Sequence, residues 1–153
     1  MSDTYTVTRS TTMAASPERV YGHIIDFRKW EAWSPWDEMD PSMRKMYSGP
    51  DSGVGSGYSW SGNRKVGQGN MEITGATADS QVEIALEFLK PFKATNTTTF
   101  TVEPAGDGSN VTWAMTGRKT LMTRIMGIFK SMDSMVGPDF EKGLAKLKAA
   151  AEA

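Results

Sequence analysis

The sequence predicts an α+β fold in which a curved antiparallel sheet of about seven strands wraps a long C-terminal helix, with two short helices after the first strand. Three observations carry this. Strand-like segments fill most of the chain up to Arg118. The connections between them are too short for parallel crossovers, which need a dozen or more residues. From about Lys119 the apolar spacing switches to the helical period and keeps it to the end. A sheet closed by a terminal helix encloses space between the two, which makes uptake of an apolar small molecule the leading expectation.

The first strand is read at Tyr5 to Met13, where β-branched residues mix with apolar positions at Tyr5, Val7 and Met13. Ser16-Pro17-Glu18 then supplies an N-cap, a proline at the first helical position and an acid where the helix dipole favours one. The helix it opens runs to about Phe27 with the inward stripe Val20, Ile24 and Phe27. A second short turn carries Trp30 and Trp33 before Ser34-Pro35-Trp36 stops it. These tryptophans either pack the segment across one end of the sheet or form a pocket wall, since large aromatics serve both roles.

From Met43 onward strands are read at Arg44 to Tyr47, Ser56 to Ser61, Lys65 to Thr74, Gln81 to Leu89, Ala94 to Glu103 and Asn110 to Arg118. Period-2 alternation assigns their faces. Val82, Ile84, Leu86 and Phe88 alternate with Glu83, Ala85 and Glu87, so one side is buried and the other is mostly wet. Met71 and Ile73, Phe100 and Val102, and Val111, Trp113 and Met115 continue the covered face.

The terminal region divides in two. Leu121, Met122, Ile125, Met126, Ile128, Phe129, Met132, Met135 and Val136 spread over about half a helix circumference, wider than a minimal core stripe of ~100°. Gly137-Pro138 then reads as a break, after which Pro138-Asp139 starts a second helix with the narrower stripe Phe140, Leu144, Leu147 and Ala151. The narrow piece should close the core, while Thr120 to Val136 should border a cavity and its mouth.

Composition sets the outer limits. The 153 residues suit a single domain, placed at residues 3–151. Seventeen Lys plus Arg against eighteen Asp plus Glu leave a net charge of −1, which gives no general pull toward nucleic acid or anionic membrane. The absence of Cys excludes disulfides and thiolate chemistry, and the opening residues lack the apolar core of a signal peptide, so a cytoplasmic location is expected. No apolar run approaches the ~20 residues of a membrane span, so no stable membrane insertion is expected.

The order strand, two short helices, six strands and long helix resembles the START-like (SRPBCC) superfamily, in particular its polyketide cyclase/dehydratase-like branch. The matching stretches are Ser16-Pro17-Glu18-Arg19-Val20, Trp30 to Trp36, Gly49-Pro50 to Gly57 leading into Tyr58-Ser59-Trp60, Val111-Thr112-Trp113, and Gly137-Pro138-Asp139-Phe140-Glu141-Lys142-Gly143-Leu144. The similarity covers nearly the whole chain. It implies a helix-grip fold with a cavity between helix and sheet, but it leaves activity open, because a fold hosts many functions.

Candidate residues follow from these faces. His23 is the only histidine, which rules out a multi-His metal site, and nothing nearby supplies a nucleophile for it. Gly53-Val54-Gly55-Ser56-Gly57 lacks the Lys-Ser/Thr of a phosphate loop and precedes a strand, so it reads as a flexible hairpin or bulge. No metal site and no cofactor are assigned. Tyr58 and Trp60 share a strand face, Asn96 and Thr98 share the phase of Phe100, and Met115 lies near the end of the inward face. With Met122, Met126, Phe129, Met132 and Asp133 of the broad helical face, they form the candidate ligand site, apolar with a few polar groups.

Three functions remain open. One is a binder of a hydrophobic or aromatic molecule, with Met122, Met126, Met132 and Met135 as an adaptable lid. Another is a polyketide cyclase, aromatase or dehydratase-like enzyme, with Tyr58 and Asp133 as candidate proton-transfer groups. The last is a protein-interaction module similar to chaperone activators. Ligand identity and oligomeric state are not encoded in any of these features.

Overall fold

The structure, a computed structural model, describes residues 4–34, 40, 42–63, 67–90, 94–118 and 132–153, apart from the side chains of residues 94, 118 and 132–135. The elements are β1 (Thr4–Met13), α1 (Pro17–Ile24), the 3-10 helix α2 (Phe27–Ala32), β2 (Arg44–Ser48), β3 (Gly57–Ser61), β4 (Gln68–Thr77), β5 (Gln81–Lys90), β6 (Ala94–Ala105), β7 (Gly108–Arg118) and α3 (Met132–Glu152). All seven strands form one antiparallel sheet in the order β1-β7-β6-β5-β4-β3-β2. From β2 to β7 it is a meander, and β1 returns to pair with β7 along its whole length. This open curved sheet, with α3 packed against it, is the helix-grip fold that the residue pattern predicts.

The alternation does assign the faces. Val82 and Ile84 are buried together with Phe100, Val102, Val111, Trp113 and Met115, while Glu83, Ala85 and Glu87 are exposed. A register shift between Ile73 and Gly75 disturbs the β4–β5 pairing, and β4 continues beyond the expected Thr74 to Thr77. The β6–β7 turn is tighter than the expected Pro104-to-Gly108 loop, because pairing continues to Ala105 opposite Gly108.

Helix α1 begins as its cap predicts. The Ser16 hydroxyl accepts from the Arg19 N–H at 3.2 Å, and Pro17 occupies the first turn. It ends at Ile24, earlier than expected, because the Asp26 carboxylate caps a separate 3-10 turn by accepting from the Arg28 N–H at 2.9 Å. The two indoles of this turn complete the end of α1. Trp30 Nε1 donates to the Ile24 carbonyl at 2.9 Å and Trp33 Nε1 to the His23 carbonyl at 3.0 Å, satisfying acceptors that a helix end leaves open. The Gly53-to-Gly57 stretch, expected to be a flexible hairpin or bulge, is tied by backbone hydrogen bonds to two other parts of the chain. The Gly53 N–H donates to the Ile25 carbonyl at 3.2 Å, and the Gly55 N–H to the Ile73 carbonyl at 2.9 Å.

The terminal helix corrects one expectation. Gly137-Pro138 does not divide it, since α3 runs unbroken from Met132 to Glu152 with Pro138 inside. Pro138 costs one i→i−4 hydrogen bond. Burial of Phe140, Leu144, Leu147 and Ala151 on one stripe offsets that loss at ~1.5–3 kcal/mol for each large side chain. The far end is tied to α1, where the Arg19 guanidinium donates to the carbonyls of Ala151 and Ala153, and the Ala14 N–H donates to Glu152. No helix of the described residues is long and apolar enough to cross a membrane.

Candidate functional site

The covered face of the sheet is filled at one end and open at the other. At the filled end Trp33 is fully buried with ring centroids 5.7 Å from both Phe100 and Trp113, at interplanar angles of 84° and 81°. Phe140 of α3 stacks on Trp113 at 4.1 Å and 7°. Such edge-to-face and stacked pairs add about 0.5–1.5 kcal/mol each beyond the area they bury, so this end is a rigid anchor for the helix.

Beyond that anchor lies a cavity of about 260 Å³. Its sheet side is made by Tyr58 and Trp60 of β3, Met71 of β4, Leu86 and Phe88 of β5, Thr98 of β6, and Trp113 and Met115 of β7. Its other side comes from Phe27, Trp30 and Glu31 of α2, from Ser34 and Met43, and from Val136, Asp139 and Phe140 of α3. Trp60 lies over Gly69, its cross-strand partner, where a Cβ would fall 2.6 Å from the indole ring. A bare position there lets the ring rest on the sheet and leave room above it. A second hollow of about 640 Å³ on the outer face is larger but open and lined by polar groups such as Asn70, Glu72, Thr74 and Glu87. It offers no enclosed apolar surface, so the smaller cavity is the candidate site.

The polar atoms of the cavity are few. Glu31 sits at the exposed rim and pairs with Lys45 at 2.8 Å. The Thr98 hydroxyl donates to Asn96 Oδ1 at 3.3 Å. Asp139 is half-buried, and among the described residues no hydrogen bond or ion pair engages its carboxylate. Burial raises its pKa above the ordinary aspartate value, with the Lys142 ammonium pulling the other way. Among the described residues no three His, Asp or Glu side chains cluster in a way that could hold a metal.

The sequence-derived candidates separate as follows. Tyr58, Trp60, Thr98 and Met115 meet in the cavity wall. Asn96 does not reach it, although it shares a strand face with Thr98. It lies opposite Gly117, whose missing side chain lets Asn96 approach Tyr5 across the strand. Burial raises the Tyr5 pKa there, and the hydrogen bond with Asn96 opposes the rise. Met122, Met126 and Phe129 lie outside the described residues, as does Trp36, and so do the side chains of Met132, Asp133 and Met135. Asp139, Glu31, Ser34 and Met43 were not among the candidates. Asp139 was legible in principle, because it stands three residues after Val136 and one before Phe140 on the same side of a helix.

A curved sheet gripping a terminal helix over an apolar cavity defines a helix-grip protein of the START-like class. More narrowly, the chain belongs to the family of polyketide cyclase / dehydrase and lipid transport proteins, whose model matches residues 4–152. No curated protein matches it significantly. Among solved structures it is similar to a protein of Chromobacterium violaceum at 16% identity, covering 100% of this chain and 99% of that one with a TM-score of 0.68. The Aha1 dimer from Colwellia psychrerythraea is similar at 18% identity, 97% and 96% coverage and a TM-score of 0.64. DynU16, from the dynemicin biosynthetic locus, matches at 13% identity over 100% of this chain and 48% of its own, with a TM-score of 0.66. At these identities the likeness bears on fold alone.

Proposed function

We propose that this protein binds a small apolar or aromatic molecule in the cavity between the sheet and α3. The observation that carries this reading is a partly open cavity of about 260 Å³ walled mainly by aromatic, Met and Leu side chains, with polar groups at isolated points. Its size narrows the occupant. An apolar cavity of ~150 Å³ takes up benzene, and typical ligand sites span ~300–1,000 Å³, so a body of one or two rings fits better than a long lipid or a four-ring polyketide. Met43, Met71 and Met115 in the lining suit a site that adapts to ligand shape, because unbranched thioethers repack easily.

A second reading, an enzyme of the cyclase type, draws support from Asp139. A carboxyl group with a raised pKa on an apolar wall is suited to proton transfer, and Tyr58 lines the same cavity. Native mass spectrometry of protein purified from its source distinguishes occupied from empty. The expected result is a retained small molecule released on denaturation. Protein that carries no added mass and takes up no aromatic probe would remove the binding reading.

A further inference from the structure

The geometry of α3 also restricts the chemistry of the occupant, on the premise that the cavity binds a ligand. Phe140 is locked on Trp113, which sets the rotation of the helix about its axis. With that rotation fixed, Val136, Asp139 and Phe140 border the cavity. The opposite flank, carrying Glu141, faces β1, where the Arg9 guanidinium bonds Glu141 Oε2 at 3.1 Å and the Thr8 carbonyl at 2.8 Å. Arg9 is thus committed to the side of the helix away from Asp139.

The charges around the cavity are unbalanced in the same sense. Its described lining contains two carboxylates, Glu31 and Asp139, and no Lys, Arg or His. Glu31 is answered at the rim by Lys45. Asp139 has no such partner among the described residues, and the Lys142 ammonium that acts on it belongs to an exposed side chain one helical turn away. A carboxyl group left against apolar surface is costly unless a donor reaches it.

We infer that the ligand is an aromatic or alicyclic molecule bearing a hydrogen-bond donor, a hydroxyl or a protonated amine, which the Asp139 carboxyl receives while the rings occupy the apolar wall. The same arrangement disfavours carboxylic acids, free fatty acids included, because a second carboxylate would sit on the apolar wall beside Asp139. Tyr58, Ser34 and Thr98 can exchange hydrogen bonds with such a ligand, but each is neutral and none selects for the sign of its charge.

The test uses four probes that share one body: naphthalene, naphthol, naphthylmethylamine and naphthoate. Their binding is followed by quenching of the tryptophans that line the cavity, in the wild-type protein and in Asp139→Asn. Naphthol and naphthylmethylamine should bind roughly tenfold more tightly than naphthalene, as expected for a hydrogen bond to a charged group, and naphthoate should bind most weakly. In Asp139→Asn the advantage of the amine should fall about tenfold and naphthoate should recover, with naphthalene unchanged. Naphthoate binding as well as the amine in wild type, or a ranking that Asp139→Asn leaves untouched, would overturn the inference while leaving cavity binding intact. Failure of all four probes, naphthalene included, would instead remove the binding reading and this inference with it. Should Asp139→Asn not fold, the wild-type ranking alone still decides.

Discussion

The two ends of the covered sheet face carry similar side chains and do different things. At one end Trp33, Phe100, Trp113 and Phe140 interlock, with rings from α3 and from the segment after α1 meeting rings from the sheet. At the other, Tyr58, Trp60 and Phe88 contact one another along the sheet, at 6.2 Å for Tyr58–Trp60 and 5.8 Å for Trp60–Phe88, and border the cavity, with Tyr58 also meeting Phe27. Aromatic content therefore does not decide which end becomes core. What differs is how the opposing rings meet the sheet: Trp33 and Phe140 close directly on Phe100 and Trp113 at the filled end, while Phe27, Trp30 and Asp139 leave a gap over Trp60 and Phe88 at the other.

The largest effect expected from this contrast is on stability. Trp33→Ala should cost about 4 kcal/mol in denaturant unfolding, through the cavity it leaves and the lost bond to the His23 carbonyl. Trp60→Ala should cost only about 1 kcal/mol, because its ring already borders empty space. Equal costs would erase the distinction between a packed end and one that borders a cavity. Trp60→Ala should instead weaken uptake of an aromatic probe, which Trp33 does not contact.

Two smaller effects follow from titration. The folded-state pKa of Asp139 lies above its ordinary value of 3.8, so folding disfavours its carboxylate. That penalty is absent at pH values well below 3.8, grows as the pH rises through the carboxylate range, and is complete near neutrality. Asp139→Asn should accordingly raise Tm slightly near neutral pH and lose this advantage in acid. His23 behaves in the opposite sense and marks the filled end. Its pKa is lowered below 6.5 by burial first and then by Lys29 and Arg19, and its buried Nδ1 has no hydrogen-bond partner among the described residues. Stability linked to His23 is therefore intact above that value and lost as the pH falls toward the folded-state pKa. His23→Gln should flatten the acid limb of a Tm-against-pH curve, and an unchanged limb would show that another group controls it.

Much of the fold was legible because it rests on local rules. Alternation over Val82, Ile84, Leu86 and Phe88 predicts a strand with one covered face, and Ser16-Pro17-Glu18 predicts a helix start, whatever surrounds them. The misreadings arose where distant parts of the chain decide. Pro138 reads as a break, but burial of the stripe from Phe140 to Ala151 holds the helix through it. Asn96 and Thr98 share a face by period, yet the bare Gly117 beside Asn96 turns it toward Tyr5 and away from the cavity. Trp30 and Trp33 sit three residues apart in one motif. Both pack edge-on to Phe100, but only Trp33 also meets Trp113 and is sealed, while Trp30 lines the cavity. Asp139 reads as a helix-start residue because the proline before it dominates the local pattern.

The central claim is that the cavity end is a ligand site, and filling it is the most direct test. Leu86 lies on the cavity floor, half-buried, so Leu86→Trp should place an indole in the space without entering the packed end. Naphthalene uptake measured by titration should fall at least roughly tenfold relative to wild type while Tm moves by only a few degrees. Undiminished uptake by a folded Leu86→Trp variant would contradict the account and place binding elsewhere on the molecule.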